Sequence, residues 1–185
     1  MNSQKPNWKK FFGRKIKANN LSGYFHEILF EFIKYYGPGK NILLVLEPLI
    51  CKKVFKEYFG YMDIDIDNIS YEGERGEEYK FDLNVIVKHE KKISKQYDIV
   101  FCQAVLEHIC RPSILIENLV DFTNDGKYII LMSVNPRKKY HGYPLDCVRF
   151  FADFYKDLTN YLSIELMEFE EDEKGCQFIV YRKKE

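Results

Sequence analysis

Apolar residues in this chain fall into two kinds of run, unbroken stretches and stretches spaced at intervals of three and four. Unbroken runs occupy residues 41–47 (NILLVLE), 97–102 (YDIVFC) and 127–134 (KYIILMSV), and suit strands covered on both faces of a parallel sheet. The spaced kind fills residues 21–36, where Phe25, Ile28, Leu29, Phe32, Ile33 and Tyr36 share one helical face and Gly37-Pro38-Gly39 is the stop signal. Weaker patterns predict strands over 61–66 (YMDIDI) and 79–83 and helices over 52–59, 112–122 and 150–162. Pro112 belongs in the first turn of its helix, and Asn124-Asp125-Gly126 forms the exit. Two closing strands, 164–169 and 177–182, flank the acidic turn 170–175 and would make one sheet edge antiparallel. Strands and helices alternate, so the expected fold class is α/β in three layers.

The chain has 185 residues, of which 46% are hydrophobic, enough for one well-filled core. No linker or repeat divides it, so residues 21–185 are expected to form a single domain behind a basic N-terminal extension, 1–20, that Trp8, Phe11 and Phe12 dock onto the body. Zero formal net charge gives no global field toward nucleic acid or an anionic membrane surface. No apolar run approaches the roughly 20 residues of a membrane span, and no secretory signal pattern opens the chain. Five cysteines, an odd number without CxxC spacing, argue against a zinc site or disulfide framework. The expectation is a cytoplasmic protein with reduced thiols packed as small hydrophobes and no metal.

The segment YDIVFCQAVLEH, residues 97–108, resembles the fourth strand and following helix of class I S-adenosylmethionine-dependent methyltransferases, with an acid near the strand start and a Leu-Glu-His triplet after its end. HGYPLDCVRF, residues 141–150, is similar to a pattern after the fifth strand in some members, and the likeness spans about residues 40–182. It implies a Rossmann-like sandwich with a seven-stranded, mostly parallel sheet, an antiparallel C-terminal strand and S-adenosylmethionine as cofactor. It also implies cofactor-binding positions. Glu47 ends the first strand, Asp65 takes the ribose hydroxyls with Asp63 and Asp67 as rivals, Asp82 meets the adenine amino group with Leu83 beside the ring, and Gln103 and Ala104 line the cleft under the sulfonium. A carboxylate suits the ribose because it accepts two hydroxyl bonds at once. Asp98 is read as a strand-opening residue that caps nearby backbone.

The chain departs from the family where glycines should follow the first strand, for it runs Glu47-Pro48-Leu49-Ile50-Cys51. Glycine there lets backbone approach a ligand, and Pro48 also removes a donor. Either the turn takes another shape around the cofactor, or Leu49 and Ile50 fill the space themselves. Methyl transfer is an in-line displacement, so alignment of the nucleophile matters most and a base serves a hydroxyl acceptor. His108 and His141 are the candidate bases, with a hydrogen-bonded structural role as the alternative for His108. Tyr143, Asp146 and Arg149 are the candidate acceptor-binding residues. Arg149 either grips an anionic group in bidentate fashion or forms an internal pair with Asp146. The basic run 135–139 is either an anion site or an exposed turn.

Two functions follow: a methyltransferase acting on a small polar or glycan-type acceptor, or a methyltransferase-like binding or scaffold protein without activity. A nucleotide enzyme of another Rossmann type lacks both GxGxxG and GxxxxGK[ST]. Nucleic-acid modification lacks its NPPY-type tetrapeptide after strand four.

Overall fold

The computed structural model describes residues 5–12, 15–17, 24–37, 39–45, 64–70, 79–80, 82–85, 93–140 and 146–185. Among these, the strands are β1 (Lys15–Lys17), β2 (Tyr24–His26), β3 (Asn41–Val45), β4 (Asp65–Ser70), β5 (Tyr79–Lys80), β6 (Tyr97–Gln103), β7 (Thr123–Val134), β8 (Ile164–Glu171) and β9 (Cys176–Lys183). The α-helices are α1 (Glu27–Tyr36), α2 (Pro112–Phe122) and α3 (Ala152–Asp157). β1 and β2 pair as a separate antiparallel hairpin, and β3 to β9 form one sheet in the order β5-β4-β3-β6-β7-β9-β8.

The α/β class and the mostly parallel sheet are as expected. β3, β4, β5, β6 and β7 run parallel, and β9 is antiparallel to both its neighbours, β7 and β8. The closing pair β8 and β9 makes one edge antiparallel, as expected, with β9 inserted one place inside and β8 at the edge in the direction of the parallel set.

Alternation along the strands sorts the core into two layers. Ile42, Leu44, Ile99, Phe101, Ile130 and Phe178 meet Ile28, Leu29, Phe32 and Ile33 of α1, with Trp8 in the same cluster. Leu43, Val45, Val100, Cys102, Ile129 and Ile179 meet Leu115, Ile116 and Leu119 of α2 and Tyr155 of α3. Trp8 is 0% exposed and packs on Phe178 at 5.1 Å between ring centroids, so it docks as the sequence suggested. No helix among the described residues is long and apolar enough to cross a membrane.

Several boundaries move. The helix expected over 21–36 begins at Glu27, because Tyr24–His26 pairs with Lys15–Lys17; His26 therefore closes a strand rather than sitting on a packing helix. The second strand is Asp65–Ser70, not 61–66, since the register Asn41↔Asp65 through Val45↔Ile69 delivers Ile66 and Ile69 to the two apolar layers. Leu83, expected in the third strand, lies in the turn after it. α2 has its expected bounds, but the exit at 124–126 is absorbed into an irregular start of β7, where Gly126 adopts a φ of 72°. The expected helix 52–59 lies outside the described residues.

Asp98 explains how β6 is hooked to β3. Its Oδ2 accepts the Lys40 N–H at 2.6 Å, and its Oδ1 accepts from Asn124 Nδ2 at 3.2 Å with Lys127 Nζ 3.7 Å away. Burial opposes ionisation, yet these donors outweigh it and hold the carboxyl below its ordinary value. A Cβ at Gly39 would stand 2.3 Å from Asp98 Cβ, and Gly39 has a φ of 62°, so only glycine lets the strand-opening carboxylate close on the backbone.

Candidate active site

Ligands of open parallel sheets gather beyond the carboxyl ends of the strands. At that edge β6 ends in Gln103, half-buried and opposite Met132 of β7. Ala104 turns the chain at a φ of 49°, rare without glycine, and its N–H donates to the Met132 carbonyl at 2.9 Å. Beside it is the turn after β5, where Asp82 Oδ1 accepts the Asn84 N–H at 2.9 Å and Asn84 Nδ2 at 3.0 Å. Asn118 of α2 donates to the Val85 carbonyl at 2.8 Å and the Leu83 carbonyl at 3.4 Å. Leu83 packs in the cluster that holds Val45, Cys102 and Val105, so the ends of β3, β5 and β6 converge.

The Leu106–His108 turn continues from β6 and buries Glu107 completely. The Glu107 carbonyl accepts the N–H groups of Cys147 at 2.7 Å and Val148 at 3.3 Å, tying the segment after β7 to the segment after β6. Ser133 Oγ lies 3.5 Å from Glu107 Oε2. Next to them, the Tyr155 hydroxyl donates to Gln177 Oε1 at 3.1 Å, while Gln177 Nε2 donates to the Phe150 carbonyl at 3.1 Å and Glu171 Oε2 at 2.8 Å. Burial pushes the Tyr155 phenol up; the Ser133 contact works against this and the Glu107 charge with it. Glu171 is held low despite burial by hydrogen bonds from Asn135 and Gln177 and by Arg137, which bonds its Oε1. These hydrogen bonds link the end of β7, the helix α3 and the start of β9, which fixes the floor under the loops.

A cavity of about 230 Å³ opens on these loops, lined by Lys138, Tyr140, Asp146, Cys147, Val148 and Arg149. A larger hollow, about 480 Å³, is lined by Asp153, Phe154, Lys156, Asp157 and Asn160 alone. The smaller one is the candidate site, because its lining belongs to the segment that bonds to the Glu107 carbonyl after β6, whereas the larger draws on the α3 stretch alone. Within the cavity Arg149 forms a bidentate pair with Asp146, whose side chain is 3% exposed, and reaches the carbonyls of Val148 at 3.3 Å and Lys139 at 3.5 Å. Of the two readings of Arg149, the internal pair is the one formed. The basic run is a turn: Asn135 Oδ1 accepts the Arg137 N–H at 2.8 Å, and Arg137 pairs with Glu171.

The structure thus brings Leu83, Gln103 and the 146–149 segment to one edge, with Asp82 beside Leu83 and His108 closing the turn below. His108 is half-buried and donates its N–H to the Val105 carbonyl at 2.9 Å. Asp65 is a correction. It opens β4 rather than ending it, so it stands at the amino edge, 64% exposed, with Lys95 Nζ at 2.6 Å. Its rival Asp67 is buried, accepting from Lys95 at 2.7 Å and the Tyr97 hydroxyl at 2.7 Å. Glu47, Asp63, His141 and Tyr143 lie outside the described residues. Among the described residues no group of His, Cys, Asp and Glu could hold a metal ion. The thiols also differ from expectation: Cys102 is buried, but Cys110 and Cys147 are exposed.

The residues missed from sequence are Ser133, Tyr155 and Gln177, whereas Glu107 stands in the Leu-Glu-His triplet already singled out. Gln177 carried a signal, as a polar side chain heading the apolar run FIVY.

No family model matches the chain. It is 32% identical over 62 residues to a ubiquinone biosynthesis O-methyltransferase of Shewanella pealeana, a match that covers 34% of this chain and 26% of that protein. The matched stretch therefore spans about a quarter of the curated relative's length. The fold is similar to that of the N-methyltransferase NodS of Bradyrhizobium japonicum, solved with S-adenosyl-L-homocysteine, at a TM-score of 0.60 and 13% identity over 86% of each chain. TehB of Haemophilus influenzae gives a TM-score of 0.58 and 18% identity, over 86% of this chain and 63% of that one.

Proposed function

We propose that this chain, which has the fold of the class I S-adenosylmethionine-dependent methyltransferases, transfers a methyl group from S-adenosylmethionine to a small polar or glycan-type acceptor. The observation that carries this reading is the strand order β5-β4-β3-β6-β7-β9-β8 with the Gln103–Ala104 turn at its carboxyl edge. The names of the similar proteins agree with it.

The residues at that edge fit the cofactor. Asp82 offers a carboxylate for an amino group, Leu83 an apolar surface for a ring, and Gln103 a neutral amide that does not repel a sulfonium. Glu47, at the predicted end of the first strand, completes the set, and Asp65 is excluded by its place at the amino edge. The bound cofactor supplies a methyl carbon attached to positively charged sulfur. The chain aligns the acceptor and takes its proton. His108 and His141 are the bases, and Tyr143 with the Asp146–Arg149 pair shapes the acceptor side, Arg149 acting as the brace of the loop rather than as an anion grip.

Calorimetry with S-adenosylmethionine and S-adenosylhomocysteine tests this. Binding should be measurable, and Gln103→Ala should weaken it about 5- to 30-fold, the worth of one or two hydrogen bonds. No heat at millimolar ligand sinks the proposal. That result would favour the second reading, a binding module without cofactor, which rests on the glycine-free turn Glu47-Pro48-Leu49-Ile50-Cys51.

A further inference from the structure

We propose that Cys110 and Cys147 form a reversible disulfide that pins the segment after β7 onto the turn after β6. Their Sγ atoms stand 3.7 Å apart although the residues are 37 positions apart in sequence, and both thiols are exposed to an oxidant in solution. Backbone contacts hold the pair in register. Cys147 donates its N–H to the Glu107 carbonyl at 2.7 Å, and its thiol reaches the His108 carbonyl at 3.9 Å, so Cys147 is held against the turn from which the chain runs on to Cys110. A disulfide needs about 2.05 Å between sulfurs, and rotation of the two exposed side chains about χ1 is the movement that the proposed bond requires.

The oxidant is a small-molecule disulfide such as oxidised glutathione. One cysteine thiolate attacks it, forming a mixed disulfide and releasing one glutathione thiolate. The second cysteine thiolate attacks the protein sulfur of that mixed disulfide, closes the Cys110–Cys147 bond and releases the second glutathione thiolate. Each protein thiol loses a proton, taken up by the departing thiolates. The two cysteines are oxidised by two electrons and glutathione disulfide is reduced by two. Cys147 lines the 230 Å³ cavity, so the bond fixes one of its walls. A consequence for acceptor entry rests on the proposed function; formation of the bond does not.

The test incubates the full chain in glutathione redox buffers, counts free thiols and maps cross-linked peptides by mass spectrometry without reduction. The expected result is a loss of two thiols from the five in the sequence, with one linked pair joining Cys110 to Cys147, reversed by excess reduced glutathione. Cys110→Ser and Cys147→Ser should each abolish the link, and being surface changes they should leave the reduced protein folded. A thiol count that does not fall, or a bond that joins either residue to Cys51, Cys102 or Cys176, overturns the proposal.

Discussion

Replacing Asp98 by Asn removes a charge while keeping the shape of the side chain that opens β6. Asp98 accepts from the Lys40 N–H at 2.6 Å and from Asn124 at 3.2 Å through different oxygens. An amide has one acceptor oxygen and no charge, so with that oxygen on the Lys40 N–H, Asn124 must flip its own amide to keep a bond, and both bonds lose their charge assistance. Each bond to a charged group is worth roughly 1.5–3 kcal/mol, and the Lys127 contact, with that lysine 44% exposed, adds less than about 1. Allowing for non-additivity, Asp98→Asn should cost about 2–4 kcal/mol at pH 7. The neighbours hold the carboxyl below its ordinary value when folded. Its contribution is therefore fully present above the unfolded value near ~3.9 and disappears as pH falls through the lower folded value. Urea unfolding of both proteins at pH 7 and in steps below pH 4 reads this as a difference in midpoint at constant slope. The gap should close in acid, because a protonated Asp98 resembles asparagine. A gap of equal size at pH 7 and at the acid end would refute the reasoning.

Other outcomes follow from the same kind of accounting. Gly175→Ala should destabilise more than Gly37→Ala in a thermal melt, for both have positive φ, but a Cβ at Gly175 would meet Asn135 Oδ1 at 2.4 Å and one at Gly37 would meet nothing within 4 Å. The backbone part alone is about 1 kcal/mol in each. The single tryptophan, Trp8, should emit with a blue-shifted maximum that moves red on unfolding, and Trp8→Ala should cost about 3–5 kcal/mol in denaturant titration. Gln177→Glu sets a second carboxylate beside Glu171 in a buried site, so its Tm deficit should be larger at pH 7 than at pH 4.5.

The sequence was most legible where chemistry and periodicity agreed. The unbroken apolar run at 97–102 and the proline-opened helix at 112–122 settle at or within one residue of their expected bounds. Asp98, too, stands where an acid near a strand start should. The second strand failed for an instructive reason: the real strand tolerates Asp67 inside because Lys95 and Tyr97 meet it, a pairing across 28 and 30 residues that no local pattern reveals. That four-residue shift carried Asp65 to the wrong edge. The hairpin of β1 and β2 was hidden in the same way, by contacts between segments each too short to signal a strand. At the site, Gln103 could be placed because it ends a buried run, whereas the Glu107, Ser133, Tyr155 and Gln177 network joins four elements and exists only after folding.

The position of β9 has a consequence for biosynthesis. β7 is complete at Val134, but its hydrogen-bonding partner on the outer side begins only at Cys176, and β8, made in between, can attach to the sheet only through that last strand. A nascent polypeptide therefore carries β7 with a naked edge, bearing Ile129, Ile130 and Leu131, until residues 176–183 have emerged. Such an edge invites pairing with other chains, which makes the interval before β9 emerges the moment of greatest risk of aggregation.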